Sequence, residues 1–307
     1  MQQLSFWDKA LPQVVNVASV PQRSPFRYPG GKTWLVPYIN RWLASLNFRP
    51  AEFVEPFCGG AIVGLNVAFD NLAEHVTLVE LDEEIAAVWQ TILNDNTGTW
   101  LADRIVQFDF TIENLNYILA EPTYRVQDRA FQTILKNRVN RGGILAHGVG
   151  RIKSGENGKG LKSRWYPTTL QKRILDISTI KEQFSFIQGD GLVVLRQRAK
   201  AQNTVFFIDP PYTVKGTGKQ AGTRLYNHST LDHEELFSLA NTLNSEFLMT
   251  YDTSSDVLDL AHSHNFDTAL ILMKNTHNTK LYELLIGRNL DWFRQISDRT
   301  NLFQDKL

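Results

Sequence analysis

From about residue 49 onward, short apolar runs alternate with amphipathic stretches, the pattern expected of repeated strand–helix units. The runs at 52–55, 76–80, 184–188, 204–208, 246–251, 268–273 and 281–286 are read as strands. Their continuous apolar character predicts strands covered on both faces, hence a largely parallel α/β sheet. Leu231, Leu236, Leu239, Ala240 and Leu243 fall on one helical stripe, and Ser229 stands ahead of them as the expected N-cap. Residues 1–24 carry no helical periodicity and are expected to form an arm on the outside of the domain, with no chemistry assigned. The alternation breaks between about residues 101 and 181. Helical stretches there surround a Gly- and Arg-rich segment from 137 to 164, which reads as an insertion. No internal repeat or low-complexity tract is present.

Length and composition narrow the picture. A chain of 307 residues with 43% hydrophobic and 21% charged residues can bury a full core, which excludes a disordered chain or a disulfide scaffold. The lone Cys58 forms no CxxC knuckle and suits a reducing compartment such as the cytoplasm. No apolar run approaches the ~20 residues that span a bilayer. Asp8 and Lys9 lie where a secretory signal needs an apolar core, so the protein is expected to stay where it is made. Thirty-two basic residues balance thirty-two acidic ones, so bulk charge binds it to neither nucleic acid nor membrane. The balance is uneven along the chain. Between 125 and 180, twelve Lys and Arg face only Asp128, Glu156 and Asp176, a local charge of +9.

Candidate chemistry gathers at the strand ends. Asp209-Pro210-Pro211-Tyr212 follows the run 204–208, at the carboxyl end of a central strand, where open α/β sheets place ligands. Two prolines remove two N–H donors and leave carbonyl oxygens beside a carboxylate and an aromatic ring, a set that accepts hydrogens from an amino group. A strand-terminating turn is the plainer reading. Phe53 to Ala61 gives a strand, a Gly59-Gly60 turn and an apolar helix, and lets a ligand approach the backbone at a helix N-terminus. Glu80 then ends the next strand where an acid accepts hydrogen bonds from ribose hydroxyls, although Glu80 or Asp82 equally serves as a helix cap. Asp190 ends the run 184–188 and is a candidate for the adenine amino group or for a cap. Gly31-Lys32-Thr33 is no phosphate loop, because Phe26 stands where that motif needs glycine. It is a glycine hinge carrying Tyr28 and Lys32, usable against a cofactor or simply a helix start. The histidines at 228, 233, 262, 264 and 277 lack any metal-ligand spacing, so no metal is expected. In the insertion, Arg138, Asn140, Arg141, Lys162, Arg164 and Trp165 mix cations, an amide and an aromatic, as phosphate and base-edge contacts require, with a solvated basic face as the plainer alternative.

Taken together, these motifs resemble the Dam-like DNA adenine-specific methyltransferases from residue 25 to about 288. The resemblance implies an S-adenosylmethionine-dependent, Rossmann-like α/β domain (25–100 and 182–307) with an inserted, mostly helical target-recognition domain (101–181). It implies S-adenosyl-L-methionine as cofactor, held by Tyr28, Gly30, Lys32, Glu55, Phe57, Gly59, Glu80, Asp190 and Asp209. It implies catalysis by Asp209, Pro210 and Tyr212 on the 6-amino group of an adenine flipped out of double-stranded DNA, in a bacterial or phage-encoded cytoplasmic enzyme. The resemblance leaves open whether a cognate restriction endonuclease, acting separately, accompanies it. Two positions depart from the family pattern: Ala61 stands where a second glycine is common, and Glu80 replaces a common Asp. Other planar amines, such as the cytosine 4-amino group or an RNA base, and a decayed DNA-binding paralogue are the competing readings.

Overall fold

The computed structural model describes residues 15–153, 155, 158–211, 231–274 and 280–295. Seven strands form one sheet: β1 (Glu52–Glu55), β2 (His75–Glu80), β3 (Phe184–Gln188), β4 (Thr204–Ile208), β5 (Glu246–Tyr251), β6 (Asp267–Lys274) and β7 (Lys280–Gly287). They stand in the order β3-β2-β1-β4-β5-β7-β6. The first five are parallel, and β7 runs antiparallel to both β5 and β6. The expected strands are thus all present, within a residue or so of their anticipated ends.

Period-two alternation explains why each strand is apolar throughout. Phe53, Val205, Phe207, Leu248 and Leu285 join one core, while Val54, Phe206, Ile208, Met249 and Ile286 join the core on the opposite face. The first face is covered by α1 (Val36–Ser45), α2 (Ile62–Phe69) and α3 (Glu83–Leu93), the second by α8 (Gly191–Arg198), α9 (His233–Thr242) and α10 (Ser255–Ser263). Asp82 caps α3 by accepting from the Glu84 and Ile85 amides, and Glu83 and Glu84 complement the positive helix end. At α9 the cap is Asp232, which accepts from the Glu235 amide at 2.9 Å, and not the expected Ser229, which lies outside the described residues. Leu231 therefore precedes the helix, because the carboxylate nearest the first free amide wins.

Between β2 and β3 the chain adds α4 (Thr97–Gln107), α5 (Ile112–Ala120), α6 (Val126–Val139) and α7 (Pro167–Ser178). Residue 101 falls inside α4. Here α6 packs along α3 and α7 along α4, so Leu101, Ile134 and Ile174 share a core with Phe53 and Leu78. Val15 and Val20 are buried in this core as well, while residues 16–19 between them are exposed. No described helix is long and apolar enough to cross a membrane.

Candidate functional site

The chain runs outward from β1 to β3 on one side and from β4 to β5 on the other, so strand order reverses between β1 and β4, the place where such sheets bind ligands. A cleft of ≈ 1160 Å³ opens there. Of the residues expected to hold the cofactor, all except Gly59 line it, and so does Pro210. Tyr212 lies outside the described residues.

The glycine turn after β1 is built for close approach. Gly59 sits at φ +45°, and a Cβ there would stand 2.5 Å from the Tyr28 ring, so the aromatic lies directly on the loop. Trp89 donates to the Gly59 carbonyl at 2.8 Å, and Ser24 to the Gly60 carbonyl at 2.5 Å. Ala61, the departure from the family pattern, takes φ 49° just before α2, a left-handed conformation that costs a non-glycine residue about 1 kcal/mol or more. The loop keeps its shape at that cost. Glu80 grips it: one carboxylate oxygen accepts from the Gly59 amide at 2.9 Å, the other from the Asp82 amide at 2.9 Å. Glu55, buried, accepts from the Gly64 amide inside α2 at 2.9 Å. Asp190 caps α8 by accepting from the Leu192 amide at 2.8 Å, and it lies exposed at the cleft.

Asp209 stands at the end of β4, where two donors meet on its Oδ1: Thr250 of β5 at 2.7 Å and the Lys32 ammonium at 3.0 Å. Lys32 is 3% exposed and reaches a second carboxylate, Glu283 of β7, at 3.4 Å. The sequence reading placed Lys32 against the cofactor and overlooked Thr250 and Glu283. The available signal was Glu283's position as a lone acid in an apolar strand.

Burial dominates the electrostatics. It lifts the Glu80 and Glu283 carboxyls to about 7, with Asp82 adding to the first and Asp209 and Asp252 to the second. It also raises Glu55 well above the usual carboxylate range, with Asp209 and Glu80 contributing. Such a group stabilises the fold fully below its unfolded value of 4.5 and loses that contribution as pH rises through about 7. Glu80→Gln is therefore expected to gain thermal midpoint relative to wild type between pH 5 and pH 7.5. A constant or shrinking difference in parallel melts would rule this out.

The insertion's candidate residues divide. Arg141 and Lys162 are exposed, whereas Arg138 is 5% exposed and donates to the Pro25 carbonyl. Asn140 bonds the Ile144 carbonyl at 2.8 Å, and Trp165 packs on Phe108 and Phe110 with ring centroids 5.9 and 5.1 Å away. Arg164 is half-buried. The exposed aromatic at the cleft is Tyr166. Asn137 clasps the Arg27 backbone, accepting from its N–H at 2.9 Å and donating to its C=O at 3.0 Å, and Arg173 donates to the Ser24 carbonyl at 2.8 Å. The insertion thereby holds the segment that leads into Tyr28. Among the described residues no cluster of three or more metal-ligating side chains occurs.

No curated protein matches the chain. Among solved structures, an rRNA methyltransferase, aviRa, from Streptomyces viridochromogenes covers 92% of this chain and 96% of its own at 14% identity and TM-score 0.42. A protein described as a putative RNA methyltransferase, PH1948 from Pyrococcus horikoshii, covers 88% and 92% at 9% identity and TM-score 0.40. These likenesses carry no argument about substrate. The family description "D12 class N6 adenine-specific DNA methyltransferase" matches residues 28–283, from the Tyr28 that lies on the glycine loop to the Glu283 that faces Lys32. With S-adenosyl-L-methionine as its cofactor and DNA as its substrate, the chain belongs to the D12 class N6 adenine-specific DNA methyltransferases.

Proposed function

We propose that the protein is a site-specific methyltransferase of double-stranded DNA that draws its target adenine out of the helix into the cleft and methylates the 6-amino group. The observation that carries this reading is Asp209, held rigid on Oδ1 by Thr250 and Lys32 at the tip of β4 in the cleft wall.

The residues present fit the cofactor. Tyr28, packed on the Gly59 turn, stands in the cleft wall, and Glu80 and Asp190 suit ribose hydroxyls and an adenine amino group. Gly30, Lys32, Glu55 and Phe57 complete that wall. When bound, the cofactor supplies a methyl group already activated on a sulfonium. Asp209 and the Pro210 carbonyl then accept hydrogen bonds from the adenine amine, draw its lone pair out of the ring and stabilise the positive charge that develops on nitrogen. An adenine paired inside a duplex cannot present its amine in this way, so extrusion is required, with Tyr212 placed by sequence to stack on the flipped base. Arg141, Lys162 and Arg164 hold the backbone, with Arg138, Asn140 and Trp165 shaping the surface behind them. A lone buried cysteine and a DNA substrate suit the cytoplasm of a bacterium or an infected cell, and any restriction endonuclease acts as a separate protein.

Incubating duplex DNA with methyl-labelled cofactor and mapping the product tests the reading. N6-methyladenine within one sequence context is expected. Label on the cytosine 4-amino group, on RNA only, or on no acceptor would refute it.

A further inference from the structure

Glu283 stands outside the chemistry derived so far. It lies on β7, where Ile271 of β6 is its cross-strand neighbour and the next residue, Leu284, pairs with Tyr251 of β5. That antiparallel insertion of β7 beside β5 carries the carboxylate to the strand tips. Its Oε2 is buried without a hydrogen-bond partner, 3.4 Å from the Lys32 ammonium. Lys32 therefore bridges two carboxylates, Asp209 and Glu283, in a site that excludes most water.

The charge count explains the arrangement. Lys32 and Asp209 alone make a neutral pair, in which the ammonium draws electron density from the carboxylate that must accept the amine. It also places a positive charge beside a cationic methyl donor and a nitrogen that becomes cationic. A second carboxylate within 3.4 Å of the ammonium returns the cluster to a net charge of −1. We propose that Glu283 is a positioning residue for methyl transfer: it holds and neutralises Lys32, so that Asp209 stays fully anionic toward the substrate amine. This rests on the methyl-transfer reading above and extends it to a cleft residue that acts through Lys32.

Among the described residues, the groups facing Glu283 are Lys32 from the segment before α1, Asp209 at the end of β4 and Asp252 at the end of β5, while β6 presents the apolar Ile271. Burial, Asp209 and Asp252 push its carboxyl up to about 7 against the pull of Lys32. Its negative charge is thus lost as pH falls through neutrality.

Single-turnover methyl transfer, with enzyme saturated by cofactor and duplex DNA, tests the role between pH 5.5 and 8.5. In wild type the rate is expected to fall as pH drops below about 7. Glu283→Gln is expected to react at least about tenfold more slowly and with no such limb, with DNA affinity unchanged, because a unit charge next to the reacting pair has been removed. Glu283→Asp should recover part of both rate and limb. A Glu283→Gln enzyme that keeps the wild-type rate and pH limb overturns the proposal, as does one that merely melts earlier with unaltered kinetics. Should that variant fail to fold, the wild-type profile decides: a flat rate across the range overturns the role, and a limb near 7 that Glu283→Asp displaces supports it. N6-methyladenine formed by wild type keeps the methyl-transfer reading standing if Glu283 fails, whereas its absence sinks that reading itself.

Discussion

Asp209→Ala is expected to slow single-turnover methyl transfer by about 10²- to 10³-fold, the ~2.7–4 kcal/mol that one preorganised polar partner supplies in a closed site. Alanine removes the acceptor and also strips Lys32 of its nearer carboxylate, leaving a buried ammonium 3.4 Å from Glu283 as its remaining partner in the triad. Stability will fall too, so the diagnostic is the separation of effects. Cofactor and DNA affinities, measured by titration on the folded variant, should change far less than the chemical rate. Thr250 and Lys32 both engage Oδ1, which holds the carboxylate in one rotation about the end of β4. That is preorganisation in the sense that matters for catalysis, since no dipole has to turn as the nitrogen gains charge. Near-normal methylation by the variant would remove Asp209 from the mechanism.

DNA affinity is expected to fall several hundredfold or more between about 50 and 200 mM salt, because at least five cations are available for phosphates and each contributes ~0.9 to the slope of log affinity against log salt. The structure sets that number. Of the twelve basic residues in the 125–180 segment, Arg125, Arg129, Lys136 and Lys172 pair with Asp128, Glu83, Glu84 and Asp176, and Arg138 and Arg173 grip the backbone at Pro25 and Ser24. Arg141, Arg151, Lys153, Lys159 and Lys162 are exposed on the connection between α6 and α7, with Arg151 also donating to Asn116. Lys159→Ala should reduce the slope by about 1 and weaken binding equally across sequences. Arg129→Ala, which breaks only the contact with Glu83, should leave the slope unchanged. Salt-insensitive binding would deny the insertion its role on DNA.

Strand positions were legible because burial on both faces makes a strand apolar without interruption, and each such run between 52 and 286 became a strand of one sheet. The carboxylates that end β1, β2 and β4, and Asp190 just past β3, were legible for a related reason. A buried parallel strand has no use for an acid at its tip unless a ligand or a helix cap takes it. Ser229 misled as a cap since Asp232 offers a carboxylate closer to the first free amides of α9. The basic insertion read as one cationic module, but residue type alone does not tell an arginine that holds Pro25 from one that faces solvent.

By itself, then, the amino-acid order determined the class of sheet, the acids at its strand tips and the glycine turn after β1, all properties set by a few neighbouring residues and by the repeat of apolar positions. Only the tertiary structure decided that β7 slots antiparallel between β5 and β6, and with it the meeting of Lys32, Asp209, Thr250 and Glu283. Those four lie on separate segments far apart along the chain. Pairwise charge and hydrogen-bond energies depend on distances of a few ångströms, which no local pattern of residues encodes.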